Sequence, residues 1–117
     1  MLSLSGVGIH HPSGDYMKIS TYGNYPTESI TWRNSDVGKT GATNAHWNAT
    51  FDATPNGHGV TEGGSSGSPL FNSKGLIIGT LSGGSSSCEL PEGLNLYGKL
   101  YYHWNKYSDN DTARMDV

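Results

Sequence analysis

Several features are scarce in this sequence, and each scarcity closes off a class of protein. There is one cysteine, no run of lysine or arginine, and no apolar stretch of the roughly 20 residues that a membrane-spanning helix requires. With a single thiol, Cys88 forms no disulfide within the chain, which leaves a buried thiol, a surface thiol or half of a bridge to a partner elsewhere. Seven Lys and Arg against ten Asp and Glu give a formal net charge of −3. Without a basic patch there is no electrostatic footprint for nucleic acid or an anionic membrane, and neither is expected as a partner. Met1–Ser5 has neither the basic residues nor the apolar run of a signal peptide, so the chain as given reads as soluble. Leu, Ile, Val and Phe are also few, a trait of disordered chains, but disorder usually goes with high net charge and the charge here is small. A folded chain is expected.

What is abundant points to short strands and tight turns. Seventeen glycines accompany many Ser, Thr and Asn residues, with aromatic residues at 10% of the chain. At 117 residues there is enough chain for one domain over 1–117 and too little for a second. Strand-like segments run over Leu4–His10 and Tyr16–Tyr22, joined through His11-Pro12-Ser13-Gly14-Asp15 as a hairpin. Others cover Ser29–Arg33, Asn44–Phe51, Pro69–Asn72, Leu76–Leu81 and Leu94–Trp104, with a loop over Asn34–Thr43. No long amphipathic helix is present. Evenly spaced strands without helices predict a small antiparallel barrel.

The chemistry concentrates in Gly64-Ser65-Ser66-Gly67-Ser68-Pro69, where serines lie between glycines on a loop that leads into a strand. A serine hydroxyl is a weak nucleophile until a base removes its proton. Gly63-Gly64-Ser65-Ser66-Gly67 fits the G-x-S-x-G nucleophile elbow with Ser65 as nucleophile, but an elbow opens a helix, and Pro69-Leu70-Phe71 is extended and apolar. A second template, Gly-x-Ser-Gly followed by a small residue and proline, selects Ser66. It resembles the nucleophile loop of trypsin/chymotrypsin-like serine proteases, with the N–H groups of Gly64 and Ser66 converging on an oxyanion.

Further residues extend that resemblance. Gly59-Val60-Thr61-Glu62-Gly63-Gly64 before the loop, Leu76–Leu81 leading into Ser82-Gly83-Gly84, then Cys88 and Asn95-Leu96-Tyr97-Gly98, follow in the order of the bacterial lysyl endopeptidases within that superfamily. Ile9-His10-His11-Pro12-Ser13-Gly14-Asp15 with Lys18-Ile19-Ser20 is similar to the start of their second barrel, while nothing specific matches between Tyr22 and Asn56. The resemblance implies an all-β fold: a single antiparallel six-stranded β-barrel, the second half of a two-barrel fold. It also implies a secreted protein, extracellular or periplasmic, that uses no cofactor and no metal. No pair of histidines has the spacing of a known zinc motif.

On this reading Ser66 is the nucleophile, Gly64 helps form the oxyanion hole, and Thr61, Ser82, Gly83, Gly84 and Asn95 contact a polypeptide substrate. The catalytic His and Asp belong to a missing N-terminal barrel, and none of the five histidines here is expected to replace that base. Cys88 is then half of a bridge to an upstream cysteine, or a small buried residue. The face left without its barrel favours self-association of the fragment. Asn95 stands where lysine-specific relatives carry a carboxylate, and Val60 and Thr61 at the pocket base are neutral too, so preference for Lys and Arg is expected to weaken unless Glu62 or Glu92 turns inward. Ser65 stands where many animal relatives have an aspartate that receives the new N-terminus on activation. The alternative function is a non-catalytic module of the same fold that binds a peptide or partner without cutting it.

Overall fold

The computed structural model describes residues 2–34 and 38–105. In chain order the elements are β1 (Gly6–His10), β2 (Lys18–Tyr22), β3 (Glu28–Ile30), β4 (Arg33–Asn34), β5 (Lys39–Thr40), β6 (His46–Asn48), β7 (Ala53–Thr54), β8 (Gly57–His58), β9 (Pro69–Asn72), β10 (Ile77–Gly84), β11 (Asn95–Lys99) and the helix α1 (Leu100–Asn105). One antiparallel sheet has the order β2-β1-β9-β10-β11-β6-β3, and β4–β5 and β7–β8 form two small ribbons. The expected hairpin is present: Gly6 to His10 pair with Tyr22 to Lys18, and a 3-10 turn at Pro12–Gly14 joins them.

The main sheet corrects the six-stranded barrel in two respects, since it has seven strands and is not closed. The chain between Tyr22 and Glu28 leaves the ladder. Pro26 has no N–H to give a ladder. The Asn24 N–H donates to Asp52 Oδ1 at 3.2 Å and the Thr27 N–H to Ser3 O at 2.8 Å, so this backbone is satisfied by loops rather than by a neighbouring strand. β2 and β3, expected as separate segments, lie at opposite edges of the sheet although only five residues separate them in sequence.

The last expected strand also ends early. β11 stops at Lys99, and residues 100–105 turn into α1, which contains His103. Aromatic Tyr101, Tyr102 and Trp104 favour strands in general, but that preference yields to context. Tyr102 uses the helical turn to donate its hydroxyl to Thr43 O at 2.9 Å.

Tyr22, Trp47, Ala49, Phe51, Leu70, Leu81 and Tyr97 form the core, with Ile78 packed against it. β11 is buried at all five positions because β10 and β6 flank it and side chains cover both its faces. Even Lys99 is buried; its ammonium lies 4.1 Å from the centroid of the Trp47 ring and donates to Ser29 Oγ. Leu70, fully buried on β9, ties the strand that leaves the serine loop into this core. Leu70→Ala is expected to cost about 2–5 kcal/mol by transfer and cavity terms. Urea denaturation followed by tryptophan fluorescence measures it, and a loss well below 1 kcal/mol would show that β9 is not anchored there.

Candidate functional site

The serine loop, residues 62–68, rests on the turn between β1 and β2. Ser13 N–H donates to Gly63 O at 2.6 Å, and Ser13 Oγ donates to Glu62 Oε2. Gly64 has φ +95°, a left-handed conformation that favours glycine, and a Cβ there would lie 2.9 Å from both Gly14 N and His11 O. Only a residue without a side chain fits this approach. Within the loop Ser65 N–H donates to Glu62 O, Gly67 N–H to Leu81 O and Ser68 N–H to Ser65 O. Among the described residues, no hydrogen bond engages the N–H of Gly64 or of Ser66. Those two donors are the pair expected to serve an oxyanion.

The two candidate serines separate sharply. Ser66 is exposed, and no side-chain hydrogen bond among the described residues engages it. Ser65 is 1% exposed and bonds His10 Nδ1 at 2.9 Å, while His10 Nε2 bonds Ser20 Oγ at 2.9 Å. A serine–histidine pair is therefore present, but on a serine with no room to receive a carbonyl. β9 begins at Pro69, so the loop opens a strand and not the helix of a nucleophile elbow. As the alternation of a strand requires, His10 is buried and His11 exposed.

Ser66 borders a pocket of about 260 Å³ lined by Thr61, Glu62, Gly63, Leu81, Gly83, Gly84 and Ser86. Thr61, Gly83 and Gly84 are thus gathered beside Ser66. Asn95 lies behind this wall, fully buried, with Oδ1 accepting from Thr61 Oγ1 at 2.7 Å and from Ser86 Oγ, and Nδ2 donating to Ala49 O at 2.8 Å. Ser82 turns from the pocket lining toward His46, with 3.2 Å between Ser82 Oγ and His46 Nε2. Val60 corrects the expected pocket base, because it lines a separate groove with His10 and His58. Glu62 does line the pocket, but its oxygens face Ser13 Oγ and, at 3.6 Å, the exposed thiol of Cys88. Past a bulge at Ser82, Gly83 and Gly84 pair with Leu96 and Asn95 of β11 on one side, whereas the β9 ladder ends at the pair Thr80–Pro69.

Sequence reasoning missed His10, Ser20, Ser13 and Ser86, and it missed Trp32, whose ring is 5.6 Å from that of His46 and whose edge lies beside Gly83. The opposite faces of His10 and His11 were visible in a strand pattern. Nothing local tied His10 to a serine 55 residues away.

The structure is a mostly antiparallel β domain with an exposed serine, Ser66, on a glycine-containing loop beside a small pocket. A family model for the C-terminal domain of lysyl endopeptidase matches residues 2–99. The chain belongs to that family, and its function is protease-related.

Burial, and secondarily the neighbouring His11, holds the His10 pKa below its ordinary 6.5. The unfolded chain therefore binds the His10 proton more readily than the folded one. Its contribution to stability is complete above about pH 6.5 and declines as the pH falls below that value. The melting temperature is expected to drop between pH 7 and pH 5, and the slope is expected to be shallower in His10→Phe. Equal slopes in the two proteins would remove His10 as the source.

Proposed function

We propose that this chain supplies the nucleophile, the oxyanion donors and the primary specificity pocket of a serine endopeptidase, while the His and Asp of the triad come from a first barrel outside these residues. One observation carries the reading: Ser66 is exposed at the rim of a pocket, and the N–H groups of Gly64 and Ser66 on either side of Ser65 are unengaged among the described residues.

The reaction follows from those positions. Ser66 Oγ attacks the peptide carbonyl carbon and gives its proton to the histidine, while the carbonyl oxygen becomes an oxyanion held by the two N–H groups. Collapse breaks the C–N bond; the leaving amine takes the proton from the histidine, and water then hydrolyses the acyl-enzyme by the same steps. Residues 82–84 pair with the substrate backbone as an added strand, which their side away from β11 permits.

Specificity follows from the neutral groups behind the pocket. Thr61, Ser86 and Asn95 are hydrogen-bonded to one another, and none bears a charge that would compensate a buried ammonium. An uncharged side chain suits this base better than lysine or arginine. A peptide-library profile of the full-length protein is expected to favour uncharged residues before the cleaved bond, and a profile dominated by Lys overturns this assignment.

A fluorophosphonate probe tests the nucleophile directly. Full-length protein is expected to be labelled at Ser66, with labelling lost in Ser66→Ala and very slow in the isolated 117 residues. Properly folded full-length protein that resists the probe would instead be the non-catalytic, peptide-binding form of the fold. Rapid labelling of the fragment would move the base into this chain.

A further inference from the structure

We propose that His10 and Ser65 are positioning residues that hold the oxyanion loop in its working shape, an inference that rests on Ser66 being the nucleophile. Ser65 lies between the two N–H groups assigned to the oxyanion. The peptide plane that carries the Ser66 N–H begins at the Ser65 Cα, so fixing the Ser65 side chain fixes one edge of that plane. The other loop hydrogen bonds engage main-chain atoms and Glu62, and Ser68 Oγ faces the Tyr97 hydroxyl at the loop's end. At Ser65 the loop is tied to the sheet through a side chain, by the 2.9 Å bond to His10 Nδ1.

The anchor behind that bond is buried and held on both sides. His10 ends β1; its ring stacks on Phe51 with centroids 6.4 Å apart and 6° between planes, and its far nitrogen is held by Ser20 of β2. Gly8 lies directly opposite Ser20 in the ladder, so no side chain blocks the diagonal from His10 to Ser20. A neutral imidazole has one donor and one acceptor, and each serine hydroxyl can take the complementary part. The whole chain from Ser20 through His10 to Ser65 is uncharged at neutral pH. It orders the loop without an ion pair and therefore without a newly cut N-terminus.

The asymmetry of the imidazole provides the test. Asparagine places its amide close to where Nδ1 lies and so reaches Ser65, whereas glutamine places its amide close to Nε2 and reaches Ser20. In the full-length protein, on a peptide amide substrate, Ser65→Ala is expected to lower kcat about 10- to 100-fold with little change in KM, less than loss of a whole oxyanion donor at 10²–10³-fold. His10→Gln should match that loss, and His10→Asn should recover much of it. If the role were only to fill space and stabilise the fold, His10→Asn and His10→Gln would behave alike, and Ser65→Ala would lower the melting temperature without lowering kcat; either result overturns the proposal. A rise in KM at constant kcat also overturns it, since that reports the pocket. Ser66→Ala separates the two readings. Turnover that survives Ser66→Ala defeats the assignment of the nucleophile, whereas turnover abolished in Ser66→Ala but unchanged in Ser65→Ala defeats the positioning role alone. Should Ser65→Ala fail to fold, the His10→Asn and His10→Gln pair gives the same comparison.

Discussion

Burial of the His10 imidazole with both nitrogens hydrogen-bonded is the constraint on which the rest of the site depends. A buried ring nitrogen without a partner costs roughly 1–3 kcal/mol, so the ring holds two serines in place as firmly as they hold it. Ser20 belongs to β2 and Ser65 to the loop before β9, and His10 adds a side-chain link between them to the contacts that the β1–β2 turn makes with the loop. The histidine therefore reinforces the attachment of the loop to the sheet. Ser65 is committed inward by this bond, and Ser66, the next residue, is left facing out.

Space for that arrangement comes from positions that have no side chain. A Cβ on Gly8 would lie 3.0 Å from the Phe51 ring and 3.1 Å from the Tyr97 hydroxyl, and one on Gly59 would lie 2.8 Å from Ser20 Cβ and 2.7 Å from Phe51 Cβ. These glycines let the aromatic core close against the strands that carry His10 and Ser20. Phe51 stands at the centre, stacked on His10 and edge-on to Tyr22. Core packing and loop geometry are consequently linked through one aromatic ring. Phe51 is thus the core residue through which a change in packing would reach His10 and the serine loop.

Local patterns in the sequence were informative where local chemistry decides the structure. The β1–β2 hairpin is marked by Pro12 and Gly14, and Gly64 is needed because its backbone is left-handed and pressed against His11 O. Thr61, Gly83 and Gly84 gather at the pocket because β10 and the approach to the loop run where their small residues predicted. Sequence separation hid the remainder. The bonds from His10 to Ser65 and from Thr61 to Asn95 join residues 55 and 34 positions apart, and no periodicity encodes such a pairing. That β2 and β3 lie at opposite edges of the sheet was hidden for a related reason, since the partners of Asn24 and Thr27 are Asp52 and Ser3, which only the folded chain brings near. Val60 shows the finest limit: adjacent residues of an extended segment face opposite ways, so Thr61 lines the pocket and Val60 does not.

The same reasoning explains why Asn95 is more than a lost carboxylate. Its Oδ1 accepts from Thr61 and Ser86, tasks that an aspartate could perform, but its Nδ2 donates to Ala49 O at 2.8 Å, which an ionised aspartate cannot do. A carboxylate here would direct an oxygen at a carbonyl oxygen in a fully buried site, where repulsion and lost solvation act together. The neutral residue and the carbonyl that faces it are therefore matched. Ala49 is itself fully buried and its N–H donates to Asn95 O, so moving that carbonyl away would disturb the link between β11 and the segment after β6. The wall behind the pocket is built for a neutral side chain at this position, and its lack of charge is a property of the whole hydrogen-bonded group.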